Sequence, residues 1–586
     1  MKNLLRLLVF VRKYWWWLVL AFICLLATTV FGLAVPWFIR EAIDSALSKG
    51  EQSYLILTAV AVIGASALQG LFAFGNHYLG EATSQKIVYD IRNALYDRLQ
   101  RLSFAYHDKT QTGQLMSRAT ADVEAVRMFF GRGLMSLGRT IVMFIGITVI
   151  LVSMNWSLAL FSMIFIIIIG CQAVRVGRAL RPIWLRVQQL MGVLSTTLEE
   201  NLTGVRIVKA FCRQGEESRK FSGEAQLLYN EQMNAARKVA FNMPLMAFLL
   251  SLATALILWY GGRQVIEGNL SVGGLSQFIL YLGMMTMPIR GLGMVTNVIA
   301  RAVSAGQRIV EILSTQSQVR ERPGAIDVGR VKGQVSFHQV SFSYDSSHPV
   351  LKDVSFSVEP GELVALVGSL GSGKSTLAHL IPRFYDVTHG AITIDGIDIR
   401  DMTLRSLRRN VGIVQQDIFL FSATIRDNIA YGVLDADMEQ IEAVAKAAHL
   451  HDFIQSLPDG YDTWVGERGI TLSGGEKQRL AIARTLLMNP SILIFDDSMS
   501  SVDPKTESFI RSALSRLIAG RTTFIITHRL SIIKSADIIL VMDKGQIAER
   551  GKHEELMARK GLYYQIYQSQ LSAFEHIEEE LTGGVV

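Results

Sequence analysis

The stretch GSLGSGKST, Gly368–Thr376, decides how the rest of the chain is read. The apolar run Leu363–Val367 before it reads as a buried strand, and Leu377–Ile381 after it as the start of a helix. A glycine-rich loop in that setting is what a phosphate-binding loop requires. Across Gly368, Ser369, Leu370, Gly371, Ser372 and Gly373 the backbone N–H groups can turn toward a polyphosphate. The following helix aims the positive end of its dipole at the same place. Lys374 would set a point charge on the β- and γ-phosphates, Ser375 would offer a hydroxyl to Mg²⁺, and Thr376 closes the motif. A chance glycine turn shares the composition but not the strand before it and the helix after it. The chain is therefore expected to bind a nucleoside triphosphate with Mg²⁺.

Composition then divides the chain. Of its 586 residues, 50% are hydrophobic and only 19% charged, and the apolar excess falls almost wholly before about residue 305. The net charge of +7 does not point to nucleic acid, because the basic residues sit in loops between apolar runs. Three scattered cysteines, Cys24, Cys171 and Cys212, form neither a metal-ligand spacing nor a disulfide framework. Six apolar stretches approach the roughly 20 residues a bilayer span needs. They lie near Trp15–Phe38, Tyr54–Tyr78, Leu134–Ser153, Ser157–Cys171, Met246–Gly261 and Leu275–Val298. The connections after the second and fourth are long and rich in Lys and Arg, and the N-terminus carries Lys2, Arg6, Arg12 and Lys13. An excess of positive charge marks the cytoplasmic side. Six spans return the chain to that side, where a nucleotide domain finds its ATP.

Within the long connections, Ala82–Leu102 and Leu180–Leu202 keep helical periodicity among charges, so they read as membrane helices extended into the cytoplasm. Each leads to a turn, HDKTQTGQLMSR at His107–Arg118 and NLTGVRIVKAFCRQ at Asn201–Gln214. The Asn201 sequon is discounted, since it falls on the cytoplasmic side. Trp15–Trp17 reads as an interfacial aromatic belt or as an ordinary apolar start to a span. Met284, Met285, Met287 and Met294 read as packing residues or as an adaptable binding surface. Arg290 reads as a charge facing a cavity or as one snorkelling to the inner surface.

From about Gln334 the pattern becomes that of an α/β domain. Tyr344, about 24 residues before the phosphate loop, offers a ring on which an adenine could stack. The strand Ile492–Phe495 delivers Asp496 and Asp497, the first placed to hold Mg²⁺ and the second to orient the attacking water. The strand TTFIIT delivers His528 toward the γ-phosphate, and Gln416 follows the strand Val411–Val414, within reach of Mg²⁺ and the water. Leu472, Ser473, Gly474, Gly475 and Glu476 cap an amphipathic helix and make a second anion site. In a head-to-tail pair, each LSGGE would lie over the other chain's phosphate loop.

GSLGSGKST, QQD, LSGGEKQR, ILIFDD, SSVD at Ser500–Asp503 and Thr527–His528 occur in the order seen in ATP-binding cassette proteins. VGERG, Val465–Gly469, resembles the loop found in exporters. Essentially the whole chain resembles a half-transporter of the multidrug and lipid exporter group. The resemblance implies an α-helical polytopic membrane domain over 1–315, a linker over 316–333, an α/β P-loop cassette over 334–572 and a tail over 573–586. It implies coupling helices near Thr110–Leu115 and Gly204–Phe211, with Asp503 and the signature acting on a partner's ATP. It also implies a bacterial inner-membrane protein with cytoplasmic N-terminus and cassette, a second half-transporter as partner, and an amphipathic drug, lipid or peptide as substrate.

One departure matters. Exporters of this group commonly carry Glu after the metal Asp, whereas this chain has Asp497. One methylene shortens the reach by about 1.5 Å, and misplacement of that order can cost roughly 10²-fold in rate. The expectation is the degenerate-site half of a heterodimer, slow at its own ATP and serving a partner's site through LSGGE. The alternatives are a homodimeric lipid or multidrug flippase and a regulatory subunit gated by ATP without sustained transport.

Overall fold

The computed structural model describes residues 6–49, 52–345, 348–466, 469, 472–496, 504–527 and 529–569. Two compact units divide the chain: residues 1–100 with 112–315, and residues 101–111 with 316–586.

The first unit is helical. Its long helices are α1 (Trp15–Lys49), α2 (Gln52–Arg101), α3 (Leu134–Met154), α4 (Trp156–Thr203), α5 (Gln214–Ile266) and α6 (Val272–Ser314). Among the described residues, five segments are long and apolar enough to cross a membrane, and α6 adds the apolar stretch Val272–Met285. In hydrocarbon every backbone group must be satisfied within the segment, which is why the spans are helices. Pro36, Pro182 and Pro244 sit inside α1, α4 and α5 without ending them. The periodic run 180–202 lies on the continuation of α4, and 82–102 on that of α2, which ends at Arg101. A single residue separates α3 from α4. Asn155 leaves the helical region at φ −160°, and its side-chain oxygen accepts the Leu158 N–H at 3.0 Å.

One apolar core of this unit gathers Ile147, Leu158, Ile257, Phe278, Tyr281 and Met285 from α3, α4, α5 and α6. Met285 is therefore a packing methionine, while Met287, Met294 and Arg290 have side chains outside the described residues. Tyr281 donates its hydroxyl to the Leu33 carbonyl at 2.6 Å. Asp44 near the end of α1 accepts from Ser271 Oγ at 2.7 Å and Gly273 N at 2.8 Å, tying α1 to the start of α6. Near the other end of α6, Arg308 Nε donates to Asp122 Oδ2 at 2.7 Å. Trp15, Trp16 and Trp17 expose their rings, and Lys86 Nζ lies 3.7 Å from the Trp17 ring centroid. Cys24, Cys171 and Cys212 are free thiols.

The second unit is built on two sheets. A sheet of order β2-β1-β4-β5 joins β1 (Val335–Phe342), β2 (Leu351–Val358), β4 (His389–Ile394) and β5 (Ile397–Asp398), all antiparallel. The larger sheet has the order β12-β11-β3-β10-β9-β6. Its members are β3 (Leu363–Gly368), β6 (Val411–Val414), β9 (Ile492–Asp496), β10 (Thr522–Ile526), β11 (Ile538–Asp543) and β12 (Gln546–Gly551), parallel except for β12. A short antiparallel pair, β7 (Ala423–Thr424) and β8 (Trp464–Val465), completes the strands described. Alternate residues of β3 enter opposite cores. Ala365 and Val367 join one cluster with Leu480 and Phe495, while Val364 and Leu366 join another with Leu377 and Phe356. A strand covered on both faces reads as an unbroken apolar run, and Leu363–Val367 reads so.

Candidate functional site

The parallel register sets the site. Ile526 pairs with both Leu366 and Asp496, and Val414 pairs with Phe495. The ends of β3, β9, β10 and β6 therefore lie along one edge of the sheet. The loop 368–373, Asp496, Thr527 and the 415–416 turn all leave from that edge. Ligands of open α/β sheets bind outside the carboxyl ends of the strands.

The loop after β3 is shaped by its glycines. A Cβ on Gly368 would lie 2.2 Å from the Met542 carbonyl oxygen on the neighbouring β11, so no larger residue fits. Gly371, at φ +78°, meets nothing within 4 Å, which leaves open space over the loop. Leu370 is exposed beside it. Helix α7 (Lys374–Leu380) follows, with Gly373 before it and Thr376 buried. Lys374 is 9% exposed, and its ammonium donates to the carbonyls of Gly368 at 2.9 Å and Ser369 at 2.7 Å and to Ser372 Oγ at 3.4 Å. Burial holds the Lys374 pKa below its ordinary value, and the Asp496 carboxylate opposes that shift. Ser375 Oγ donates to Asp496 Oδ2 at 3.4 Å. A hydroxyl and a carboxylate this close, beside an open loop, fit a shared Mg²⁺ on a bound polyphosphate.

Tyr344 is 42% exposed, and its hydroxyl lies 3.1 Å from Thr376 Oγ1, so the ring stands beside the loop with much of its surface free. Gln416 is exposed at the same sheet edge. Asp497, Asp503 and His528 lie outside the described residues.

The second predicted anion site lies at a different helix start. Ser473 caps α8 (Gly474–Met488): its Oγ accepts the Glu476 N–H at 3.4 Å, and its own N–H donates to Glu476 Oε2 at 2.7 Å. This reciprocal capping box fixes the helix start. Ser473 and Gly474 are exposed, Leu472 and Glu476 half-buried and Gly475 buried. Buried Arg479 braces the turn from behind, donating to the carbonyls of His449 at 2.8 Å and Gly475 at 3.4 Å.

Sequence reasoning missed an aromatic group beside Tyr344. The Tyr385 ring stands perpendicular to Tyr344 with centroids 5.1 Å apart. Phe384 stacks on Phe104 at 4.2 Å. Phe104 begins the short helix Phe104–Lys109, which belongs to the same compact unit. The sequence signal was only FAY and RFY, short aromatic clusters far apart in the chain.

Residues 18–289 match the ABC transporter transmembrane region, and residues 351–500 match the ABC transporter domain. An ATP-dependent lipid A-core flippase of Syntrophus aciditrophicus is 39% identical over 550 residues, 94% of this chain and 91% of that protein. The putative multidrug export ATP-binding/permease protein YgaD of Bacillus subtilis is 36% identical, over 92% of this chain and 94% of that one. The structure of a bacterial Atm1-family ABC exporter with ATP bound superposes with a TM-score of 0.78 at 32% identity, covering 94% of this chain and 98% of that one. The chain belongs to the ABC transporter family, as a half-transporter of its exporters. It is a multi-pass membrane protein with a cytoplasmic cassette, and it couples ATP hydrolysis to export.

Proposed function

We propose that this chain is the slow-site half of a heterodimeric exporter of amphipathic drugs, lipids or peptides. The observation that carries the reading is Asp497, where exporters of this group commonly place Glu, in a chain whose LSGGE is unaltered. In this reading Lys374 exchanges its loop carbonyls for β- and γ-phosphate oxygens, and Ser375, Asp496 and Gln416 share Mg²⁺. The backbone N–H groups of residues 368–376 cradle the phosphates, and Tyr344 stacks on the adenine. Asp497 and His528 face the γ-phosphate, with the shorter carboxylate leaving the water poorly held. Ser473 and Gly475, with Asp503, complete the site on the partner's nucleotide, where most turnover occurs. The exposure of Ser473 and Gly474 at a fixed helix start supports this role.

ATP binding draws the two cassettes together. The segments near Thr110–Leu115 and Gly204–Phe211, which contain the short helices Thr112–Ser117 and Val205–Ala210, carry that closure to the membrane helices, and hydrolysis resets it. On Val205–Ala210 no residue is buried, and Val205 and Ile207 are exposed, as a surface that docks on another chain requires. Transport of amphipathic substrates is supported by relatives named for lipid A-core flipping and multidrug export. The experiment is uptake into inside-out vesicles with the chain alone and with a half-transporter that carries Glu at the position of Asp497. Uptake that needs both chains and survives Asp497→Ala supports the reading. Uptake by the chain alone, lost on Asp497→Ala, refutes it in favour of a homodimeric flippase.

A further inference from the structure

The Tyr385 ring is bracketed by Tyr344 at 5.1 Å and Phe342 at 5.6 Å, and the Phe342 and Tyr344 rings meet perpendicularly at 4.9 Å. Its hydroxyl donates to the Asp108 carboxylate on the helix Phe104–Lys109. The same helix is held through Phe104, stacked at 4.2 Å on Phe384, whose ring also lies 5.5 Å from the Arg408 guanidinium. One side chain thus touches both the ring beside the phosphate loop and the helix that follows α2 in the chain. Burial and the Asp108 carboxylate push the Tyr385 hydroxyl well above its ordinary pKa, so it remains a donor throughout the physiological range.

We propose that Tyr385 is a positioning residue for adenine, holding the Tyr344 ring in its stacking orientation only while its hydroxyl is engaged by Asp108. The inference rests on the reading of Tyr344 as the adenine platform. The Tyr344 hydroxyl is anchored at Thr376 by one hydrogen bond, which fixes one end of the side chain but not rotation of the ring. The perpendicular Tyr385 ring supplies the second constraint, in the edge-to-face geometry that aromatic pairs favour. The Tyr385–Asp108 bond in turn ties that constraint to the helix Phe104–Lys109. Adenine binding and the placement of this helix are then linked, and linkage of affinities is reciprocal.

The test uses the full chain in lipid nanodiscs and two probes, the magnesium complexes of AMP-PNP and of inorganic tripolyphosphate. Tyr385→Phe removes only the hydroxyl, and Asp108→Ala only its acceptor. Each is expected to weaken AMP-PNP binding about two- to tenfold. The double variant should be no weaker than the worse single one, because both break the same bond. Tripolyphosphate has no base to stack, so its affinity should not change. Tyr344→Ala should show the same selective loss. Wild-type AMP-PNP affinity in Tyr385→Phe and Asp108→Ala, alongside a loss in Tyr344→Ala, overturns the proposal. An equal loss for tripolyphosphate overturns it too, since that marks general damage to the loop. If Tyr344→Ala keeps the ratio of the two affinities, the adenine platform itself fails and the proposal falls with it.

Discussion

Lys374 spends its charge on the carbonyls of Gly368 and Ser369, oxygens of its own loop. A triphosphate competes for that ammonium with full negative charges, and charge-assisted bonds of this kind are about twice as strong as neutral ones. Lys374→Ala should therefore cut ATPase activity at this site at least about 10²-fold, in line with loss of a positioned electrostatic group, while thermal unfolding changes little. On the proposed stacking of adenine, Tyr344→Ala should raise the KM for ATP severalfold at nearly constant kcat, because such a ring would bind ground and transition states alike. Both follow from residues legible in the sequence, since Lys374, Ser375 and Asp496 belong to motifs whose spacing states their chemistry. Tyr385 and Asp108 were not legible. They meet across 277 residues, and nothing local in either segment announces the partner.

Among the elements, β3 and its loop carry the tightest constraint. β3 lies between β11 and β10 in the sheet, so its end is walled by the Met542 carbonyl. Gly368→Val should abolish nucleotide binding, read as loss of AMP-PNP protection against limited proteolysis, because backbone blocks the added side chain. At the joint between α3 and α4, Asn155 alone caps a 48-residue helix. Asn155→Ala should lower stability by about 1 kcal/mol, the usual cost of a lost N-cap, seen as a lower Tm in detergent. The long helices could be read from apolar length and the periodic charged continuations, and the strands from their unbroken or alternating runs. Helix limits were less legible. The short helix Phe104–Lys109 clusters with the cassette unit, although the chain before and after it belongs to the helical unit. That allegiance comes from aromatic contacts made in three dimensions, such as Phe104 with Phe384, which periodicity does not encode.

At the scale of the whole molecule, an apolar first half and an α/β second half were evident from composition alone. The relatives match along both. The proposed role of Ser473 concerns a nucleotide held by another copy or another protein, a contact that one chain does not contain. Ser473→Ala should therefore slow the partner's site more than its own. This would be read as loss of ATPase in the mixed complex with little change in this chain's nucleotide occupancy. The most direct measurement is ATP turnover by the purified chain alone in nanodiscs, wild type against Asp497→Glu. Slow wild-type turnover that rises about tenfold or more with the longer carboxylate is expected, since a self-pair supplies two intact LSGGE signatures and lacks only reach. Robust wild-type turnover, abolished by Lys374→Ala and unimproved by Asp497→Glu, would contradict that expectation.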